Sequence, residues 1–387
     1  MFNDLYRHYL THLEGTKKCR QLQDPSLLNR DMKDRKKIID FSTNDYLLLS
    51  RDPDLLKAAI DCGKKYGVGA TGSRLLSGNS FIFSLLESEI ALKKKTQAAL
   101  FFSSGYLANS CALAALLDKI ILNAQALVFF DKLNHASLYH AVFLSGAALV
   151  RYKHNDIQAL AHLLEKYKND SRPKFIVTET VFGMDGDQIP LQDIIFLAEK
   201  YDCFLYLDEA HATGIFGAEG YGLSTLAQFP NLNYAILGTF SKALGVSGAY
   251  VACSDLLAQY LINKAGGFIY STAASPMVAG AALAAWRKVK GLGDQRQNLL
   301  KLAEYSRSAL QENGFCCGLS QTHILPIIVK EEQKALQLQK ILEKKGIKVS
   351  AIRPPTVPPQ SSRLRLALNI GHEKDDIDSL ITVLKNR

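Results

Sequence analysis

The stretch Gly238-Thr239-Phe240-Ser241-Lys242-Ala243-Leu244-Gly245 decides how this chain is read. The apolar run before it, Tyr234-Ala235-Ile236-Leu237, has the length and character of a buried strand. Lys242 therefore falls in a glycine-bracketed loop just past a strand end, where open α/β sheets bind their ligands. Most lysines are plain solvated charges. Here the flanking residues are small or hydroxylated, as a loop that closes on a phosphate requires. Upstream, a second apolar run, Cys203-Phe204-Leu205-Tyr206-Leu207, leads into Asp208-Glu209-Ala210-His211. A loop lysine with a loop carboxylate is the protein's share of pyridoxal-phosphate chemistry. The amine forms an imine with the cofactor, and the carboxylate faces its pyridinium nitrogen.

Other strand ends lead into loops of the same kind. Ala98–Phe102 reads as a buried strand that runs through Ser103-Ser104-Gly105-Tyr106 into a helix. Free backbone N–H groups and the helix dipole make such a turn a phosphate seat, although it is also a routine strand-to-helix connection. Ala126–Phe130 is a further strand, and His135 lies just beyond it, where an imidazole either stacks on a cofactor or is merely structural. Phe175–Glu179 and Ala249–Ala252 complete the strands read here, and Thr180-Val181-Phe182-Gly183-Met184-Asp185-Gly186-Asp187 follows the former. Helical patterns over 156–168 and 191–201 separate strands, which predicts a mainly parallel sheet with helices on both faces. Gly67-Val68-Gly69-Ala70-Thr71-Gly72 matches the dinucleotide fingerprint in letters only. A polar helical pattern precedes it where that fingerprint needs a strand. Arg74, just after it, is either an anion contact or a structural charge.

At the N-terminus, residues 1–20 read as an amphipathic helix with Leu5, Tyr9, Leu10 and Leu13 on one face, and 21–37 as a polar linker. Ile38–Phe41 reads as a short strand. Beyond a long helix from Ser275 to Gly291 the pattern changes to helix 294–313, strand Ile324–Val329, helix 331–345 and strand Ile347–Ile352. Arg353-Pro354-Pro355-Thr356-Val357-Pro358-Pro359 can only be an extended connection. Ser361–Leu368 alternates like a half-buried strand, and 373–385 closes the chain as a helix. The domains expected are 1–45 as N-terminal helix and linker, 46–285 as a large cofactor-binding domain, and 286–387 as a small α+β domain.

The 387 residues are 48% hydrophobic and 21% charged, which suits a globular enzyme and argues against disorder. A net charge of +9 suits an anionic partner, whether nucleic acid or a phosphorylated small molecule. The seven cysteines show neither CxxC nor metal spacing, which points to reduced thiols in a cytoplasmic protein and to no metal. No signal peptide is visible in Met1-Phe2-Asn3-Asp4-Leu5-Tyr6-Arg7, and no apolar run is long enough for a bilayer. Asp208-Glu209-Ala210-His211 also spells the DEAH box of a helicase. That reading requires an upstream P-loop, and the chain has none: Gly63-Lys64 is followed by Lys65.

Taken in order, these loops resemble those of the α-oxoamine synthases, pyridoxal-phosphate enzymes of fold type I. The likeness runs from Asn44-Asp45-Tyr46-Leu47 to Arg363-Leu364-Arg365, nearly the whole chain. Asp185-Gly186-Asp187, Asp208-Glu209-Ala210-His211 and the Lys242 loop carry it. Ile269-Tyr270-Ser271-Thr272 and Arg353-Pro354-Pro355-Thr356-Val357-Pro358 pull it toward the member that condenses L-alanine with a pimeloyl thioester, on CoA or an acyl-carrier protein. Glycine-using siblings are the nearest alternative.

The resemblance implies a large seven-stranded, mainly parallel sheet domain, a small α+β domain, pyridoxal 5'-phosphate as cofactor, and a homodimer with shared sites. It implies no nucleic-acid or membrane partner. Lys242 would hold the cofactor as an imine and later move the α-proton. Asp208 would keep the pyridine nitrogen protonated, His211 would bond the phenolic oxygen, and His135 would stack on the ring. Gly105, Tyr106, Thr239 and Ser241 would take the phosphate, with Thr272 reaching the neighbouring subunit's cofactor. Arg365 would clamp the amino-acid carboxylate, while Arg20, Asn44, Arg353 and Thr356 would line the substrate side. One departure stands out: Gly183 occupies a position where the family usually has serine, which removes one hydroxyl.

Overall fold

The computed structural model of the chain describes residues 2–15, 19, 22 and 38–386. Phe2–Gly15 is a helix, and none of its residues is buried. Most of the expected linker, and Arg20 with it, lies outside the described residues. Residues 39–387 form a compact unit of their own.

Seven strands make the large sheet of that unit. They are β1 (Ala98–Phe102), β2 (Leu127–Asp131), β3 (Ala148–Tyr152), β4 (Lys174–Glu179), β5 (Cys203–Asp208), β6 (Tyr234–Thr239) and β7 (Ala249–Cys253). Their order across the sheet is β1-β7-β6-β5-β4-β2-β3. Only β7 runs against its neighbours, β1 and β6, and the other pairings are parallel. This is a fold type I sheet. A parallel sheet covered on both faces reads as unbroken apolar runs. In β2 all five residues, Leu127-Val128-Phe129-Phe130-Asp131, are buried. The strand-by-strand reading missed β3 for the converse reason. It is an edge strand paired only with β2, and Arg151 breaks its apolar run with an exposed charge.

The C-terminal part forms a three-stranded antiparallel sheet in the order β9-β10-β8, from β8 (Ile324–Lys330), β9 (Ser350–Ile352) and β10 (Ser362–Ala367). The strand expected over 347–352 is split. Ile347–Lys348 instead pairs in parallel with Ile39–Asp40, the short remnant of the strand expected over 38–41. The alternation seen in β10 predicts one wet face, yet every residue of the strand is buried, Arg363 and Arg365 included. It is the central strand, and the face that carries the arginines turns toward the large sheet. One apolar cluster joins Phe101, Phe240 and Tyr250 of the large-sheet region to Trp286 and on to Ile324, Leu364 and Leu366. Phe41 O accepts from Ala367 N at 2.9 Å and Tyr46 O accepts from Ile370 N at 3.0 Å. These bonds lay the segment Phe41–Tyr46 along the end of β10, which is how Asn44 and Tyr46 come to face Arg365.

Among the described residues, no helix is long and apolar enough to cross a membrane.

Candidate active site

The loops after β1, β2, β4, β5 and β6 open at one edge of the sheet, because these strands point the same way. Register brings Glu179, the last residue of β4, beside Asp208, the last of β5. Asp208 is buried, and its oxygens are fixed from two sides. Oδ1 accepts from Ala210 N at 2.8 Å and Oδ2 from Asn109 Nδ2 at 2.7 Å. Asn109 is held in turn by Tyr206, whose hydroxyl donates to Asn109 Oδ1 at 2.9 Å. Asn109 opens a π-helical turn, Asn109–Leu113, a distortion that often marks functional sites. The sequence reading gave Asn109 no role. Its spacing was a usable signal, since it lies one helical turn after Gly105 and so on the same face.

Lys242 is half-buried and its amine is lowered to about 8, chiefly by desolvation. The Asp208 and Glu179 carboxylates oppose that shift, and the Arg365 guanidinium adds to it. Burial holds the Glu179 carboxyl well above its usual range, with help from the Asp208 charge. Glu179 Oε1 also accepts from His135 N at 2.6 Å, which ties the His135 turn to the end of β4. His135 lies exposed at the mouth of the site, its Nδ1 2.7 Å from Ser137 Oγ.

At the other side, Ser104 caps the helical turn by accepting from Leu107 N at 3.2 Å. The face of Gly105 looks onto Thr239, whose Oγ1 would stand 3.7 Å from a Cβ at Gly105. Thr239 Oγ1 is 2.8 Å from Ser241 Oγ. The helical turn that starts at Gly105 and Tyr106 thus lies beside the Thr239 and Ser241 hydroxyls, a place where N–H and O–H groups could take an anion. A turn able to take an anion, an oriented carboxylate and a lysine within reach of that carboxylate's charge fit pyridoxal 5'-phosphate. Lys242 would hold its aldehyde carbon, Asp208 its ring nitrogen and the turn its phosphate.

On the substrate side, Arg365 Nε donates to Gly183 O at 2.5 Å, and Nη2 donates to Asn44 Oδ1 at 3.0 Å and to the Tyr46 hydroxyl at 3.4 Å. His211 is buried, with Nδ1 2.7 Å from the Tyr46 hydroxyl. Burial holds it well below the usual imidazole range, and Lys242 and Arg365 push it the same way. His323 is fully buried beside Tyr46, with ring centroids 4.1 Å apart. Neither Tyr46 nor His323 was assigned a role from sequence. Arg353 and Thr356 share a turn between β9 and β10, where Thr356 N donates to Arg353 O at 3.1 Å. Thr272 is exposed and lines a cleft with Arg74, Ser103 and Leu107. Arg74 turns out to be a structural charge, forked onto Glu87 at 2.8 and 2.9 Å.

Two motifs prove to be stitching. Asp185 pairs with Arg363, and Asp187 stands 3.0 Å from His154 Nε2. Gly186 between them has φ +71, and a Cβ there would strike Ile324 O. Glu209, the acid a helicase would use, is fully buried against Lys94 and accepts from Ser224 N at 2.7 Å. It is a strut and leaves no carboxylate free for a nucleotide's metal.

A family model described as aminotransferase class I and II matches residues 36–384. A Magnetococcus marinus protein provisionally named 8-amino-7-oxononanoate synthase is 44% identical over 373 residues, 96% of this chain and 94% of its own. The structure of 8-amino-7-oxononanoate synthase from Francisella tularensis superposes with TM-score 0.77 at 30% identity, covering 90% of this chain and 97% of that one. A structure of serine palmitoyltransferase with its pyridoxal-phosphate internal aldimine superposes with TM-score 0.83 at 26% identity, covering 91% and 87%.

Proposed function

This chain belongs to the class I and II aminotransferase family, and from that premise we propose that it joins L-alanine to a pimeloyl thioester. The products are 8-amino-7-oxononanoate, carbon dioxide and the free thiol. The observation that carries the reading is the convergence of Lys242, Asp208, His211 and Arg365 at one sheet edge. An amine lowered to about 8 is poised both to form an imine and to move a proton near neutral pH.

When bound, pyridoxal phosphate supplies a sink for the electron pair left at the α-carbon. The chain's own groups do the rest. Arg365, pre-aimed by Gly183 O, Asn44 and Tyr46, takes the amino-acid carboxylate with its fork. Lys242 Nζ removes the α-proton and later returns one to the same carbon. Asp208, locked by Asn109 and Ala210 N, keeps the pyridine nitrogen protonated. The α-carbon attacks the thioester carbonyl and expels the thiol, and the carboxylate of alanine leaves as carbon dioxide. Arg353 and Thr356 line the acyl side, with Arg20 assigned there by resemblance alone.

L-Alanine and the pimeloyl group are preferred because relatives named for that product share 44% of their residues with this chain. A serine-using reaction with a longer acyl chain is the second reading, favoured by the backbone likeness to serine palmitoyltransferase. The net charge of +9 suits either CoA phosphates or an acidic carrier protein. The active form is a cytoplasmic homodimer, in which the exposed Thr272 reaches the partner copy's phosphate.

The test is to supply the protein, loaded with pyridoxal phosphate, with carboxyl-labelled L-alanine and pimeloyl-CoA. Labelled carbon dioxide should appear in step with free thiol and a product of the expected mass. Thiol release without carbon dioxide would refute the condensation, and turnover with L-serine alone would select the second reading.

A further inference from the structure

Four side chains that meet on the substrate side, Arg365, Asn44, Tyr46 and His211, form a hydrogen-bond chain with a definite direction. Arg365 can only donate, and its Nη2 gives hydrogens to Asn44 Oδ1 at 3.0 Å and to the Tyr46 hydroxyl at 3.4 Å. The Tyr46 hydroxyl then has one proton of its own to place. Asn44 Oδ1, at 3.1 Å, has a second lone pair that could take it beside the bond from Arg365, but His211 Nδ1 lies closer, at 2.7 Å, and is the better-placed acceptor. A neutral imidazole has one acceptor nitrogen and one N–H. His211 is held neutral by burial beside Lys242 and Arg365, so accepting at Nδ1 leaves its proton on Nε2.

That Nε2 leans over Gly183. A Cβ built on Gly183 would overlap Nε2, with Cδ2 and Cε1 also too close, at 2.8 and 3.0 Å. Behind Tyr46 stands His323, fully buried, with neither ring nitrogen hydrogen-bonded. Its ring meets Tyr46 at 75° with centroids 4.1 Å apart, and Phe216 lies 6.0 Å away on another side. It braces the phenol without competing for the hydroxyl.

We propose that Tyr46, braced by His323, is the positioning residue that fixes His211 as an Nε2–H donor, and that Gly183 is the residue that leaves room for that ring. The absence of a side chain at 183 is then a requirement of this chain. Restoring the serine found in the enzymes it resembles weakens the site. The proposal rests on the reading above only in taking the cofactor's phenolic oxygen as what His211 Nε2–H faces.

Ring-labelled histidine NMR on the full chain reports directly which nitrogen of His211 carries the proton, with or without cofactor. The wild type should show the Nε2–H form. Tyr46→Phe should lose it to a tautomer mixture, His323→Ala should loosen it, and His323→Phe should keep it. Gly183→Ser should displace the His211 signal and raise the pyridoxal-phosphate dissociation constant about tenfold, the equivalent of one hydrogen bond. A wild-type Nδ1–H form, an unchanged tautomer in Tyr46→Phe, or a Gly183→Ser protein that binds cofactor as tightly as wild type would overturn the proposal. A wild type that takes up no pyridoxal phosphate would sink the cofactor reading instead, and the tautomer measurements would still decide this one.

Discussion

Lys242 should react with pyridoxal phosphate as an amine with a midpoint near pH 8. Its amine is lowered to about 8 by desolvation, against the pull of Asp208 and Glu179. Only the neutral amine attacks an aldehyde. With a midpoint near 8, roughly 9% of Lys242 is neutral at pH 7, against ~0.03% for an ordinary lysine, a gain of about 300-fold. Cofactor-stripped protein mixed with pyridoxal phosphate in a stopped-flow spectrometer gives the rate at which the visible band grows. That rate should rise about tenfold per pH unit up to roughly pH 8 and then flatten. Asp208→Asn removes the largest charge holding the amine up, so its plateau should begin at lower pH. A rate still climbing tenfold per unit beyond about pH 9.5 would show an ordinary lysine and refute the reasoning.

Other outcomes follow from the same contacts. His154 stands between Asp131 and Asp187, at 2.9 and 3.0 Å, and these carboxylates overcome burial to raise it to about 10. Because the folded value lies above the unfolded 6.5, its stabilisation is complete below pH 6.5 and fades as pH climbs to about 10. His154→Gln should therefore lower unfolding free energy by on the order of 4 kcal/mol at pH 6 and by little at pH 10, as read in urea. Lys94→Met leaves the Glu209 charge buried without its cation, and should cost about 3–5 kcal/mol. A loss under about 1 kcal/mol would mean that the pair is not the strut described. Arg365→Lys cannot reproduce the fork, so KM for the amino acid should rise ~10–100-fold with a smaller change in kcat. An unchanged KM would remove Arg365 from the carboxylate.

Much of this was legible because parallel strands advertise themselves. β2, β4, β5 and β6 are buried on both faces, so each reads as an apolar run, and the residue after each run falls at the shared edge. Lys242, Asp208 and the Gly105 turn could be placed from that rule alone. The edge strand β3 could not, because Arg151 interrupts it. β10 looked half-wet because its arginines alternate with leucines. They are instead satisfied inside the protein, Arg363 by Asp185 and Arg365 by Gly183 O and Asn44. Tyr46 and His323 could be given no role from sequence because what they do depends on contacts across the fold that no local spacing records. Asn109 was within reach, one turn beyond Gly105, had the face of that helix been followed.

The central claim is that Lys242 holds pyridoxal phosphate in a site made for L-alanine. The most direct test is the visible absorption spectrum of the purified, cofactor-loaded protein, recorded before and after adding L-alanine, glycine or L-serine separately. The account predicts a yellow protein whose band responds chiefly to L-alanine, and a Lys242→Ala variant without that band. A stronger response to glycine or L-serine would contradict the substrate assignment, and a protein that stays colourless in excess pyridoxal phosphate would contradict the role of Lys242 itself.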